Sequence, residues 1–102
     1  MIKIYQINME RDINQVKFRS FKNVKEFDFS IYDEVWSGEN PDGCDDLEGI
    51  FEVFNLDHPE DFNGHSLSVS DIVHIIDSKN PNKLPNGYWY CDSFGWKKVE
   101  VL

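Results

Sequence analysis

The sequence has few of the features on which exported, membrane-spanning or metal-binding proteins depend. Its 102 residues include only two cysteines, Cys44 and Cys91, which stand in no metal-ligand spacing, so we expect free thiols. No apolar run approaches the ~20 residues that cross a membrane. The N-terminal MIKIYQINMERD lacks the apolar region and cleavage site of a signal peptide. We therefore expect residues 1–102 to form a single soluble domain in the cytoplasm, without a membrane partner.

Basic residues are missing from the middle half of the chain. Residues 26–77 carry fifteen acids and no lysine or arginine, whereas residues 1–25 and 78–102 carry net charges of +4 and +2, which gives −9 overall. Such a charge repels nucleic acid and attracts a basic protein surface, although it also serves solubility alone. We therefore expect no direct nucleic-acid binding and an unknown protein partner with a basic surface. The candidate partner-binding acidic patch comprises Asp33, Glu34, Glu39, Asp42, Asp45, Asp46, Glu48 and Glu52.

Metal sites receive no support from the acidic segment GENPDGCDDLEG (38–49). If Gly43 is aligned with the invariant glycine of a calcium-binding EF-hand loop, Gly38 and Gly49 fall where the two principal carboxylates are needed. The three histidines show no HExxH or equivalent spacing. We therefore expect neither a metal nor a cofactor.

The stretch GHSLSVSDIVH (64–74) concentrates residue types that occur in hydrolase sites. It nearly matches the nucleophile-elbow pattern G-x-S-x-G, but Ser68 stands where the second glycine belongs, and the required α/β context is missing. The simpler interpretation is that its serines bond to local backbone at the entry to a strand. We therefore predict no catalytic residues. A deep pocket that held His65, Ser66 and Asp92 together would revive the enzymatic alternative.

Alternating apolar and polar residues predict strands in the first third of the chain. IKIYQIN (2–8) is rich in β-branched and aromatic residues, and QVKFRSF (15–21) has a period of two, so we expect these segments to form a hairpin. SIYDEVWSG (30–38) is a third predicted strand, with Ile31 and Val35 on one face and Tyr32 and Trp36 on the other. FKNVKEFDF (21–29) is left unassigned.

One helix is predicted over residues 45–55. Asp45 is the expected N-cap, and Glu48 stands three residues later, as in a capping box. The apolar residues Leu47, Ile50, Phe51 and Phe54 recur at helical spacing, and Asn55 is the expected end.

The last third predicts a small antiparallel meander. The β-branched run from Val69 to Ile76 is compatible with a strand or with a helix capped by Ser70. The strand is favoured because the run is short and ends in the turn-forming SKNPNKLPNG (78–87). GYWYCDS (87–93) and WKKVEVL (96–102) are predicted to be strands.

Together these elements predict an α+β fold, in which the helix packs on one face of a small, mostly antiparallel β-sheet. The predicted core contains Ile4, Val35, Leu47, Ile50, Phe51, Phe54, Val73, Ile75, Tyr90 and Val99.

Three segments give the chain a resemblance to a known family. SIYDEVWSGE (30–39), DDLEGIFEVFNLDHPEDFNGHSLSVSDIVHI (45–75) and GYWYCDSFGWKKVEV (87–101) resemble, in order and spacing, the YodL-like family of small bacterial proteins. The resemblance implies an accessory product of a mobile genetic element in a Gram-positive bacterium. It carries over no catalytic residues, and it implies no established activity.

Within these segments we expect a structural motif rather than a catalytic one. Its glycines permit tight turns, and its aspartates and serines bond to nearby backbone N–H groups. The motif comprises Gly64, Ser66, Ser68, Ser70, Asp71, Asp92, Ser93 and Gly95.

Two functions are compatible with this sequence. The first is a non-enzymatic accessory protein that acts by protein–protein contact. The alternative is an acidic mimic of nucleic acid that inhibits a defence nuclease or a restriction system.

Overall fold

A computed structural model describes residues 1–24 and 26–101. These residues form a five-stranded antiparallel sheet with one α-helix, which confirms the predicted α+β fold. The sheet has the strand order β2-β1-β3-β4-β5, and all four pairings are antiparallel. The elements are β1 (Ile2–Ile7), β2 (Tyr32–Gly38), α1 (Leu47–Leu56), β3 (Ile72–Ile75), β4 (Gly87–Cys91) and β5 (Trp96–Val99).

Strand β1 lies inside the sheet and sends side chains into two cores. Ile2 and Ile4 are fully buried on one face, whereas Tyr5 and Ile7 pack into a separate cluster on the other. The strand pairs with β2 on one side and with β3 on the other. Burial on both faces explains why this segment is so rich in β-branched and aromatic residues.

The predicted meander in the last third is confirmed. Strand β3 pairs with β4, and β4 pairs with β5, so three consecutive strands are neighbours. The strand interpretation of residues 69–76 is therefore correct, although the strand begins only at Ile72, because Ser70 turns the chain with a φ of +85°. The last predicted strand ends at Val99, and Leu102 lies outside the described residues.

Helix α1 begins one residue later than its predicted cap implies. Asp46, and not Asp45, is the N-cap, because its carboxylate accepts a hydrogen bond of 2.7 Å from the Gly49 amide. The helix continues past Asn55 to Leu56.

The helix covers the face of the sheet that carries Ile4. Ile50 and Phe54 are fully buried in this core, where Phe54 packs edge-on against the ring of Trp36 at 5.0 Å. The prediction that Phe51 belongs to the core is wrong, since this side chain is 37% exposed. The buried stripe of the helix is rotated toward Val53, which packs on the core in its place.

The opposite face of the sheet is covered by residues 8–24 and 26–31, here called the covering segment. It contains two 3-10 turns, Phe21–Asn23 and Phe29–Ile31. Its aromatic and aliphatic side chains pack on Ile7, Tyr32 and the other residues of the second core.

The predicted strand over 15–21, and with it the first hairpin, is wrong. Gln15 and Phe18 have positive φ values of 53° and 68°, which no β-strand accommodates. The Asp12 carboxylate accepts hydrogen bonds from the amides of Val16 and Lys17, so these donors are withdrawn from any ladder. Strand β1 pairs instead with the more distant β2 and β3.

The predicted faces of β2 are wrong because the strand contains a bulge. Ile4 pairs with Trp36 and Tyr5 pairs with Glu34, so Val35 is an extra residue without a counterpart on β1. The bulge places Trp36 in the core under the helix and Tyr32 in the opposite core. Tyr32 and Trp36 therefore lie on different faces, contrary to the period-two prediction.

The remaining core predictions agree with the structure, with two residues at the margin. Val35 and Leu47 are only partly buried. The other predicted members are buried, namely Ile4, Ile50, Phe54, Val73, Ile75, Tyr90 and Val99. Both cysteines are free, as expected, and both are buried. Across the described residues, no helix has the length and apolar content required to traverse a bilayer.

Candidate functional site

The stretch 64–71 closes over a buried polar cluster, here called the clasp. The clasp is formed by Gln6, His65, Ser68 and Asp71. The Gln6 amide group lies at its centre. Its nitrogen donates to the His65 carbonyl at 2.8 Å and to Asp71 Oδ2 at 3.0 Å, and its oxygen accepts from the His65 amide at 3.1 Å. Three hydrogen bonds therefore fasten the 64–71 turn to strand β1.

Asp71 supplies the carboxylate of the clasp. Its side chain is buried, and Oδ2 also accepts a hydrogen bond of 2.8 Å from the Ser68 amide. Burial raises the pKa of Asp71 to about 7, because removal from water disfavours the carboxylate by more than these hydrogen bonds favour it. Its other oxygen, Oδ1, faces His65 Nε2 at 3.9 Å. Within the described residues, neither of these two facing atoms has a hydrogen-bond partner.

The imidazole of His65 forms the partly exposed side of the clasp. Its Nδ1 lies 2.7 Å from the Ser66 carbonyl oxygen, which only accepts hydrogen bonds, so we assign the proton to Nδ1. That assignment leaves Nε2 free to accept a proton from Asp71 or to carry one itself. The ring of Phe18, from the covering segment, packs at 6.1 Å from the imidazole.

The hydroxyls of Ser68 and Ser70 form hydrogen bonds with backbone groups. Ser68 Oγ donates to the Ser66 carbonyl at 2.7 Å, and Ser70 Oγ accepts from the Phe18 amide at 2.9 Å. Ser66 itself is exposed. These bonds use the hydroxyls in local turns and in attachment of the covering segment, as their residue types favour.

Ser70 joins three parts of the fold despite its strained backbone. Its amide donates to the Cys91 carbonyl at 2.9 Å, and its carbonyl accepts a buried hydrogen bond of 2.7 Å from the Tyr32 hydroxyl. The Cys91 amide in turn donates to the Asp71 carbonyl at 2.8 Å. The turn before β3 is thereby held to β2, to β4 and, through Phe18, to the covering segment.

The second part of the motif anchors the covering segment elsewhere. Asp92 Oδ1 accepts from the Phe21 amide at 3.1 Å and from the Ser93 amide at 2.8 Å. The Ser93 hydroxyl bonds to the hydroxyl of Ser20. The Asp92 amide donates to the carbonyl of Gly95, whose φ of +73° closes the turn between β4 and β5.

Gly64 is required by a close approach. A Cβ atom at this position would collide with the amide oxygen of Gln6. Gly64 has no positive φ, so the turn expected at this residue does not depend on a left-handed backbone conformation. The absence of a side chain lets the Gln6 amide reach the His65 backbone.

The three residues of the enzymatic alternative take part in separate contacts. His65 contacts the carbonyl of Ser66, not its hydroxyl. Asp92 binds the amides of Phe21 and Ser93. Among the hydrogen bonds of residues 1–24 and 26–101, none joins Asp92 to either of the other two. No group of three or more His, Cys, Asp or Glu side chains in these same ranges is placed to hold a metal ion.

Sequence reasoning missed the central residue of the clasp. Gln6 lies 59 residues from His65 and 65 from Asp71, so no local motif includes it. One signal was present, since Gln6 continues the buried row of Ile2 and Ile4 on strand β1. A polar residue in such a row needs a hydrogen-bond partner.

The acidic patch divides into paired and free carboxylates. On β2, Asp33 pairs with Arg11, and Glu34 lies 3.4 Å from the Lys3 ammonium. Asp46 caps α1, and Glu48 accepts a hydrogen bond of 3.1 Å from the Trp96 indole. The other four acids of the patch are exposed, namely Glu39, Asp42, Asp45 and Glu52.

A small cavity of about 70 Å³ lies between the covering segment and the sheet. Its floor contains Tyr32 and Tyr90. Of its polar lining residues, Arg11 already binds Asp33 and the Tyr32 carbonyl, and Asp12 caps a turn of the covering segment. These groups hold the segment in place and leave a small space lined by both apolar and polar side chains.

Comparison with known proteins gives one positive result. Neither the curated proteins nor the solved structures contain a match to this chain. A family model described as the YodL-like domain matches residues 1–101, which include both cores, the clasp and the acidic patch. The chain therefore belongs to the YodL-like domain family.

Proposed function

We propose that this protein is a non-enzymatic accessory protein that acts by contact with another protein. The observation that carries the proposal is the outer face of α1. Phe51 and Leu56 are 37% and 79% exposed there, although the helix buries Ile50 and Phe54 beneath them. A contiguous apolar patch on a surface commonly marks an interaction site, and we propose that Phe51 and Leu56 belong to one.

Charge indicates the kind of partner. Glu48 and Glu52 are exposed and lie one turn apart on α1, between Phe51 on one side and Leu56 on the other. Residues 26–77 contribute fifteen acids and no basic residue. A basic surface with apolar sockets is complementary to this arrangement, and opposite charges also accelerate its approach.

The motif residues support a structural rather than a chemical role. Their hydroxyls and carboxylates bind backbone amides and carbonyls that attach the covering segment and the 64–71 turn. Side chains committed in this way are not arranged as a nucleophile with an adjacent base.

The test is affinity capture from an extract of the host, with the purified protein and two variants as bait. The double variant Phe51→Ser and Leu56→Ser should lose the captured protein while keeping the fold. The paired substitution Ile13→Ser and Met9→Ser is the matched control, because both residues are exposed outside the helix and should leave capture unchanged. Capture that survives the helix double variant, or turnover in an activity screen without any captured protein, contradicts the proposal.

A second candidate function is that of an acidic mimic of nucleic acid. Such a mimic would inhibit a defence nuclease or a restriction system that a mobile genetic element encounters. The four free acids of the patch favour it, because they are not neutralised by a basic neighbour among the described ion pairs. This function needs charge more than apolar contact, and its binding should weaken steeply with salt.

Charge reversal distinguishes the two functions. Glu34 and Asp46 are poor sites for reversal, since one pairs with Lys3 and the other caps the helix. Glu39→Lys, Asp42→Lys and Asp45→Lys, which lie outside α1, should together abolish binding by a mimic and its competition with DNA, whereas Glu10→Lys should not. If the triple variant binds as the parent does, mimicry is excluded.

A further inference from the structure

We propose that Asp71 and His65 form a one-proton site that controls how firmly the covering segment and the 64–71 turn are held against the sheet. This inference concerns regulation of the fold by pH and is independent of the proposed contact surface on α1. It rests on the geometry of two facing atoms. Asp71 Oδ1 and His65 Nε2 lie 3.9 Å apart, and both lack another partner in the described part of the chain.

One proton satisfies this pair better than two or none. With one proton, a neutral carboxyl faces a neutral imidazole, or a carboxylate faces an imidazolium, and either arrangement leaves no uncompensated charge. With no proton, a buried carboxylate remains beside a neutral ring. With two protons, two donors face each other.

The surroundings of Asp71 make the proton-free state costly at neutral pH. The ammonium group of Lys17, in the covering segment, lowers the pKa of Asp71. Its effect is smaller than that of the hydrogen bonds from Ser68 and Gln6. Burial outweighs all three and raises the Asp71 pKa to about 7.

Apart from the Lys17 ammonium, three titratable side chains interact with Asp71, and all three are neutral in this range. Burial raises the pKa of Cys91 to about 12 and raises the pKa values of Tyr32 and Tyr90 well above their usual range. These three side chains come from β2 and β4. The Asp71 carboxyl is therefore the acid of the clasp whose pKa lies near 7.

The clasp transmits this exchange to the covering segment through two short connections. Ser70, the residue directly before Asp71, accepts a hydrogen bond from the Phe18 amide. The ring of Phe18 packs against His65. Loss of the shared proton should therefore loosen Phe18 and the His65 turn together, while the hydrogen bonds inside α1 are unaffected.

Amide hydrogen exchange between pH 5.5 and 8.5 tests the proposal, after correction for the intrinsic rates. We expect the opening constants at the Phe18 and His65 amides to rise at least about tenfold across this range. The Ile50 amide, bonded within α1 to the Asp46 carbonyl, is the internal reference. Equal opening at all three amides at every pH would overturn the proposal, because it would report global unfolding only.

Two variants separate the proton from its surroundings. Asp71→Asn keeps the shape and an acceptor but cannot ionise, so the opening constants should change less than about twofold with pH. Asp92→Asn is the matched control, since Asp92 also anchors the covering segment but belongs to another cluster, and its pH dependence should equal that of the parent. If the opening constants of Asp71→Asn still depend on pH as they do in the parent, the proposal is contradicted.

A titration of the unaltered protein removes any dependence on variants that fold poorly. The carboxyl carbon of Asp71, followed by NMR, should titrate with a midpoint of about 7. In His65→Gln that midpoint should move, because the ring nitrogen that faces the carboxyl is lost. A carboxyl midpoint below pH 5 in the parent, with no response to His65, would refute the one-proton site.

Discussion

The side-chain amide of Gln6 and the carboxylate of Asp71 are joined by a hydrogen bond of 3.0 Å across 65 residues of sequence. The same amide is bonded to the His65 backbone at both its nitrogen and its oxygen. Gln6 thus supplies in one side chain the donors and the acceptor that the 64–71 turn needs in order to be buried.

Replacement of Gln6 by Met should therefore destabilise the protein by about 2 kcal/mol or more, because buried partners would lose their hydrogen bonds while packing volume is kept. Urea unfolding at pH 6 measures the change. Asn82→Met removes an amide from an exposed position and should shift stability by less than about 0.5 kcal/mol. A cost of Gln6→Met no larger than that of the control would show that the clasp is dispensable.

Substitution of Gly64 by Ala should cost about 1–3 kcal/mol, because the added methyl group meets the amide oxygen of Gln6. The cause can be isolated by a double-mutant cycle. Gln6→Ala opens space, so Gly64→Ala should cost less in that background. Gly95→Ala is a contrasting control: its cost comes from a φ of +73° and should be the same with or without Gln6.

The effect of pH on global stability should depend on Asp71. Its pKa of about 7 lies above its ordinary 3.8, so the folded state binds its proton more tightly than the unfolded state does. This contribution to stability is full below about pH 4 and is lost as the pH rises toward 7, by about 2–4 kcal/mol in total.

Asp71→Asn should remove that loss, because the amide stays neutral at every pH. The variant should match the parent near pH 4 to 5 and exceed it in unfolding free energy at pH 8. Urea unfolding of both proteins over this range measures the difference, in which the contributions of the other acids cancel. A variant that is less stable than the parent at pH 8 would contradict the assignment of a costly buried charge.

The regular elements of this fold follow from local patterns. Strand β1 and the meander β3-β4-β5 are rich in β-branched and aromatic residues, and α1 has apolar residues at helical spacing. The covering segment could not be predicted in this way. Its residues 15–21 alternate like a strand, but the backbone donors of Val16 and Phe18 are taken by Asp12 and by Ser70, and Ser70 is 52 residues away from Phe18.

The clasp was predictable in part. The residue types of Ser68, Ser70 and Asp71 indicate backbone hydrogen bonds at the entry to a strand, and a local rule suffices for that expectation. The identity of Gln6 as their partner depends on strand order and register, which place β1 beside β3. Local spacing contains no such information, nor does it reveal the bulge at Val35 that turns Tyr32 toward Ser70.

The hydroxyl of Tyr32 should contribute to stability through this bond. Tyr32→Phe removes a buried hydrogen bond of 2.7 Å to the Ser70 carbonyl and keeps the ring, so we expect a loss of about 1–2 kcal/mol. Tyr88→Phe is the control, because Tyr88 lies half-buried at the edge of the same core and should change stability by less than about 0.5 kcal/mol. Thermal unfolding of the two variants beside the parent decides the matter, and equal midpoints for both would show that the Ser70 bond adds nothing.

Phe51 and Phe54, three residues apart on α1, should respond to truncation very differently. Phe54 is fully buried between Trp36 and Phe62, so Phe54→Ala leaves a cavity and should cost about 3–5 kcal/mol. Phe51 is 37% exposed on the outer face, so Phe51→Ala should cost about 1 kcal/mol. Urea unfolding measures both, and partner capture measures the second. If Phe51→Ala proved as costly as Phe54→Ala, the helix would be rotated toward Phe51, and the outer face proposed for partner binding would not exist.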